Sequence, residues 1–233
     1  FLAGDAHGDE LQLSRFDGAQ AHLFRARLNG RGELEGQHWS GNFGHERFVA
    51  VRNPDAELDM SSVATDMKDP AVKLQFTFQD LDGKTVSLSD PRFQGKVVIV
   101  TLAGSWCPNC HDEAAFLAQL YREHRAEGLE VVALMFEHFG DFAQAAAATR
   151  LIVGTSDKDE AAKALPQLTG VFAFPTTIWV DRAGVVRRIH AGFSGPATGA
   201  HYTEITGELT EFTLGLLAPA APVPWRRGCS PPP

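Results

Sequence analysis

Cys107 and Cys110, with Pro108 and Asn109 between them, are the residues of this chain whose types and spacing most directly specify chemistry. Two thiols separated by two residues can close a small disulfide ring. The pair follows a β-branched run at 97–101 and precedes an amphipathic pattern in which Phe116, Leu117, Leu120, Tyr121 and His124 recur at helical spacing. The first thiol therefore stands at a helix N-terminus, where unsatisfied N–H groups and the positive end of the dipole favour its thiolate. This is the pattern of a redox-active dithiol. Trp106 beside Cys107 adds a flat aromatic rim suited to a docking surface.

Two other chemistries use the same spacing. Cys107-Pro108-Asn109-Cys110-His111 formally matches a c-type haem attachment motif. A haem domain would surround that motif with small helices and a distal Met or His, whereas here it follows the continuous apolar run of a buried strand. A structural zinc site needs two further soft ligands, and Cys229, the third cysteine, lies in a Pro-rich stretch without partner spacing. No metal and no cofactor is expected beyond a disulfide between Cys107 and Cys110. Cys229 reads as a free thiol that could pair between molecules in an oxidising compartment. His111 reads as a helix surface residue or as a charge that tunes the Cys107 thiolate.

Positioning such a pair requires a scaffold, and the 233 residues divide into two patterns. Over 1–59, short alternating runs around Leu11 and Leu13, Leu23, Leu34, and Phe48 to Val51 are separated by turn chemistry at Asp17-Gly18, Asn29-Gly30 and Gly41-Asn42. They predict a small antiparallel meander of four strands, either part of a larger β domain or an extension docked on the rest. A polar stretch at 60–68 reads as a linker. From 69 to 217 the pattern is α/β. A hairpin turns at Asp82-Gly83, buried strands lie at 97–102 and 129–136, and Gly128 ends the helix after the dithiol. A short alanine-rich helix at 142–149, a strand at 151–153 and a helix capped by Ser156 and Asp159 and ending near Pro166 follow. Strands at 176–180 and 185–190 are joined by a turn at Asp181 to Gly184, and Ile205, Leu209, Phe212 and Leu216 mark a closing amphipathic helix. The segment 218–233 is rich in proline and reads as disordered.

The net charge of −8, with its 21 basic residues scattered, argues against nucleic acid or anionic lipid as partner and for a protein or small thiol. No run of about eighteen apolar residues occurs, so no membrane span is expected. Phe1 is not an initiator methionine, which leaves room for an export signal or lipid anchor removed upstream.

Gly104-Ser105-Trp106-Cys107-Pro108-Asn109-Cys110, Glu113, and Phe174-Pro175-Thr176, in the order strand, CxxC, helix, strand, helix and hairpin, resemble the TlpA/ResA-type thiol:disulfide oxidoreductases. These are exported bacterial members of the thioredoxin superfamily, related to the AhpC/TSA-Redoxin group. The resemblance covers roughly 69–217 and implies a thioredoxin-like fold, a central mixed sheet flanked by helices. It implies that Cys107 is an exposed nucleophile that forms a mixed disulfide and that Cys110 resolves it. Glu113, three residues from Cys110 on the same helix face, would accept or relay the proton of the buried thiol. Pro175 would be a cis-proline facing the dithiol, and Trp106, Phe174 and Thr176 would contact substrate. Pro108 at the first helical turn, Asn109 and His111 would tune the pair.

Three departures accompany the resemblance. Thr101 stands where thioredoxin carries a buried Asp, so that proton acceptor is missing. Ala115 replaces a helix-kinking proline, so a straighter helix is expected, and Pro-Asn matches neither the Gly-Pro of thioredoxin nor the Pro-His of DsbA. The implied partners are exported protein clients carrying disulfides, such as apocytochrome c or a copper-centre assembly protein. An upstream dithiol donor would supply electrons, since no Gly-rich nucleotide loop is present. The implied location is periplasmic, or membrane-anchored facing the periplasm. Two alternatives stand beside this reading. One is a peroxiredoxin-like thiol peroxidase, although Gly104 occupies the position where the peroxidatic pattern has Thr or Ser. The other is a β-region binding module with a structural disulfide.

Overall fold

The computed structural model describes residues 2–16, 21–41, 44–56, 64–136, 149–152 (backbone only) and 163–218. Most of the expected alanine-rich helix, the capping box of Ser156 and Asp159, residues 60–63 of the linker, and Cys229 with most of its Pro-rich segment lie outside the described residues.

The N-terminal region forms a sheet of five strands in meander order, one more than the sequence pattern predicts. These are β1 (Ala3–His7), β2 (Glu10–Phe16), β3 (Ala21–Leu28), β4 (Glu33–Ser40) and β5 (Gly44–Val51). The unexpected strand, β1, consists of Ala-Gly-Asp-Ala-His and has no β-branched or large apolar residue to betray it. Its place comes from pairing with β2, Ala6 opposite Leu11 and Gly4 opposite Leu13. The register aligns Leu11, Ala26, Gly36 and Phe48 across one face, and beside them Leu13, Phe24 and His38. Gly36 is required there, since a Cβ would come within 2.7 Å of both Ala26 Cβ and the Phe48 ring. Among the described residues of this sheet only Ala26 is buried.

The second region is a mixed sheet of seven strands in the order β12-β11-β8-β9-β10-β6-β7. The hairpin β6 (Thr77–Asp80) and β7 (Thr85–Ser87) leads to β8 (Val97–Ala103), helix α1 (Pro108–His124) and β9 (Leu129–Met135). β10 (Thr149–Ile152), β11 (Thr176–Val180), β12 (Val186–Ala191) and helix α2 (Ala200–Leu217) complete it. β8 pairs parallel with β9 and antiparallel with β11, which places it in the middle of the sheet. That position explains why all seven of its residues are buried. Gly128, with φ of 99°, takes the left-handed conformation that ends the helical stretch after α1 and turns the chain into β9.

Alternation along β8 divides the core in two. Val98, Val100 and Leu102 pack with Leu134, Ile178 and Val180 on one face. Val97 and Ile99 pack with Leu117, Leu120, Leu209 and Leu217 of the two helices on the other. By the same period of two, Thr101 and Thr177 face the helices, and the register sets them directly opposite each other. Residues 66–68, expected at the end of the linker, instead belong to this second region. Met67 is buried in its core and bridges Leu168, while backbone bonds join Lys68 to Gln167 and Thr169 to Asp66.

Candidate active site

The chain leaves β8 at Ala103, turns through Gly104 and Ser105, and enters α1 with Cys107 as its N-cap. Gly104 is needed for this turn, since an added Cβ would lie 2.4 Å from Trp106 Nε1 and 2.9 Å from the Phe136 carbonyl oxygen. Cys107 and Cys110 are joined in a disulfide with their Cα atoms 5.2 Å apart. The Cys110 N–H is shared between the Cys107 carbonyl at 3.1 Å and Cys107 Sγ at 3.2 Å, so the sulfur helps to satisfy a donor of the first helical turn. Pro108 occupies the first turn, where its missing N–H leaves nothing unpaired.

Beneath the disulfide, Glu113 is buried at 2% exposure. Thr101 Oγ1 donates to its Oε2 at 2.8 Å, Thr177 Oγ1 lies 2.8 Å from both carboxyl oxygens, and the two hydroxyl oxygens are 3.0 Å apart. Burial raises the carboxyl from 4.5 to about 7, against the opposing pull of the hydrogen bonds from Thr101 and Thr177. A carboxyl poised near neutrality one turn from a redox cysteine is suited to exchanging a proton with it.

Across from α1, the Phe174–Pro175 peptide bond is cis. Phe174 meets Trp106 edge-on, with ring centroids 5.4 Å apart, and Trp106 Nε1 donates to the Phe136 carbonyl at 2.8 Å. Trp106 is nevertheless 41% exposed, so a fixed aromatic rim borders the disulfide. The arrangement can exchange two electrons with another disulfide or dithiol and hold a proton while doing so.

The Redoxin family model matches residues 65–203, the span that carries the disulfide, Glu113 and the cis-proline. The chain belongs to the Redoxin family. Among curated proteins, it is similar to the thiol-disulfide oxidoreductase ResA of Geobacillus thermodenitrificans, 30% identical over 121 residues, which cover 50% of this chain and 66% of that protein. ResA of Bacillus cereus is 37% identical over 59 residues, 25% of this chain. The match spans only about a third of that protein's length, 33%. Among solved structures, a Chlorobium tepidum protein described as a thiol:disulfide interchange protein DsbE is 27% identical with a TM-score of 0.50, covering 66% of this chain and 99% of that one. A secreted thiol-disulfide isomerase from Corynebacterium glutamicum shares the fold at 20% identity, with a TM-score of 0.50 over 72% of this chain and 96% of that one. The thioredoxin-like architecture expected from the sequence is thereby established.

Within the Redoxin region the structure gathers Cys107, Cys110, Trp106, Phe174 and Pro175 at one end of the sheet, with Glu113 below them. It corrects two expectations. Cys107 is not exposed in the disulfide form but 5% accessible, because it packs in a small cluster with Ala103, Cys110 and Met135 against Phe174. Thr176 does not present its side chain to a substrate, since it is fully buried and donates to the Ala173 carbonyl at 2.8 Å. Thr101 carries no carboxyl, as expected, and its hydroxyl donates instead to the Glu113 carboxyl that descends from α1. His111 is exposed and its Nε2 lies 2.6 Å from the Ser105 carbonyl, while Asn109 is half-buried with an Oδ1 that has no hydrogen-bond partner among the described residues. Thr177 was not singled out by sequence reasoning. The signal was a polar residue one step before Trp179 on the helix-facing side of a wholly buried strand.

Proposed function

We propose that this Redoxin-family chain is a thiol:disulfide oxidoreductase that reduces disulfides in exported protein clients through a mixed disulfide. The observation that carries the reading is the Cys107–Cys110 disulfide at the N-terminus of α1, with a buried Glu113 beneath it and the cis Phe174–Pro175 bond alongside. In the reduced protein, the Cys107 thiolate attacks one sulfur of the client disulfide, forming a mixed disulfide and releasing one client thiolate. The Cys110 thiol gives its proton to Glu113 and attacks Cys107 Sγ, which frees the second client thiolate. Two electrons have then passed to the client and Cys107–Cys110 is a disulfide. A second dithiol protein reverses this step on the enzyme, and the proton returns from Glu113.

Trp106 and Phe174 form the rim on which a client segment rests, and the backbone at the cis-proline is available to pair with it. An exported location is consistent with this chemistry, since disulfide-bearing clients are found in oxidising compartments. No helix among the described residues is long and apolar enough to cross a membrane. Gly104 supports the reductase over the peroxidase reading. A Thr or Ser at that position would drive its Cβ to within 2.4 Å of Trp106 Nε1. The haem reading would surround the motif with small helices, whereas here it follows β8 within a seven-stranded sheet.

Insulin reduction tests the proposal. Cys107→Ser is expected to abolish it, and Cys110→Ser to accumulate mixed disulfides with clients. Wild-type turnover by both variants would refute the mechanism. A redox titration then assigns the direction: a two-electron midpoint near about −270 mV marks a reductase, and one near about −120 mV an oxidant of new disulfides.

A further inference from the structure

Glu113 is held by two threonine hydroxyls that converge on it from adjacent strands. Thr101 comes from β8 and Thr177 from β11, set opposite each other by the strand register, and Glu113 descends between them from α1. We propose that Thr101 and Thr177 are positioning residues that keep Glu113 hydrogen-bonded in both of its protonation states, so that it can take the Cys110 proton and return it without leaving a buried polar group unpaired. This inference rests on the dithiol mechanism above.

A hydroxyl can both donate and accept, whereas a buried cation on the sheet could only donate and would favour the ionised carboxyl alone. When Glu113 is ionised, Thr101 donates to Oε2 and Thr177 donates to Oε1, each at 2.8 Å. When it is protonated, its O–H donates to one of these oxygens, and the Thr177 hydroxyl can turn to donate to Thr101 at 3.0 Å. Proton transfer thus needs only rotation about two C–O bonds. Thr101, Thr177 and Glu113 are all buried, at 5%, 0% and 2% exposure, so water does not supply these bonds instead. Among the described residues, no charged side chain from β8, β11 or α1 contributes to the shift of Glu113. The titratable neighbour on its own helix face is Cys110, when reduced. The hydroxyls therefore oppose burial, which by itself would keep the carboxyl protonated at neutral pH and unable to accept.

The test reads the Glu113 carboxyl directly, by carbon NMR of its Cδ in the oxidised protein, where the cysteines do not titrate. Thr101→Val and Thr177→Val, close in size but without the hydroxyl, are each expected to raise the midpoint by about one pH unit, the effect of one charge-assisted hydrogen bond. They should slow resolution of a preformed mixed disulfide at pH 7 about fivefold, the accompanying fall in ionised fraction. Thr101→Ser and Thr177→Ser, which keep the hydroxyl, are expected to hold the wild-type midpoint. Should a valine variant fail to fold, the wild type answers: the Thr101 and Thr177 methyl resonances must titrate with the Glu113 midpoint. Unmoved midpoints in the valine variants, serine variants that shift as far as valine, or threonine methyls indifferent to Glu113 would each overturn the inference. Failure of the function itself looks different, as wild-type protein without Cys107-dependent insulin reduction, and leaves the carboxyl titration readable.

Discussion

Replacing Glu113 by Gln should make the oxidised protein more stable at alkaline pH while impairing it as a catalyst. The folded protein holds the Glu113 proton more tightly than the unfolded chain does, because burial raises the carboxyl from 4.5 to about 7. The stabilisation from the protonated form is complete below 4.5 and is lost as pH rises through about 7. The interval corresponds to about 3 kcal/mol. Glutamine has no proton to lose and can still accept from Thr101 and donate to or accept from Thr177. The Glu113→Gln variant should therefore match the wild type near pH 4.5 and exceed it by about 3 kcal/mol at pH 8.5, with every other titrating group common to both and cancelling in the difference. In urea this is a midpoint gain of about 1 M at a slope of about 3 kcal/mol/M. Urea unfolding of both oxidised proteins across pH 4.5 to 8.5 measures it. Parallel stability curves, or an advantage that shrinks as pH rises, would refute the account of Glu113 as a buried carboxyl poised near neutrality.

Two further substitutions probe the frame of the site. Gly104→Ala places a Cβ against Trp106 Nε1 and the Phe136 carbonyl, so it should break the 2.8 Å bond between them, shift Trp106 fluorescence and lower insulin reduction about tenfold with the disulfide still forming; wild-type fluorescence and rate would show that the rim is not held this way. Trp179→Phe removes a fully buried indole whose Nε1 donates to Thr213 at 2.9 Å. The cavity and the lost bond should destabilise the protein by about 2 to 3 kcal/mol, and a urea-derived loss below about 0.5 kcal/mol would contradict the packing described.

The local features of this protein were legible residue by residue. Cys107-Pro108-Asn109-Cys110 announces a dithiol at a helix start, the apolar run of β8 announces a strand buried on both faces, and Gly128 announces the end of the helical stretch. Each rests on interactions a few residues long, which spacing and side-chain type encode directly. The cis geometry at Pro175 was anticipated through family resemblance, not local pattern, and β1 escaped notice because its pairing with β2, not its own residues, makes it a strand. The buried proton site lay further out of reach. Thr101 read as an absence and Thr177 as one more strand residue, because neither has a meaning until β8 and β11 are set side by side. Their hydroxyls meet across 76 residues of chain, and Thr177 reaches Glu113 across 64. The sequence by itself determined which two sulfurs stand within reach of each other at a helix start. Only the tertiary structure decided what surrounds the carboxyl beneath them, because strand register and burial arise from long-range packing and are what move its proton affinity to neutrality.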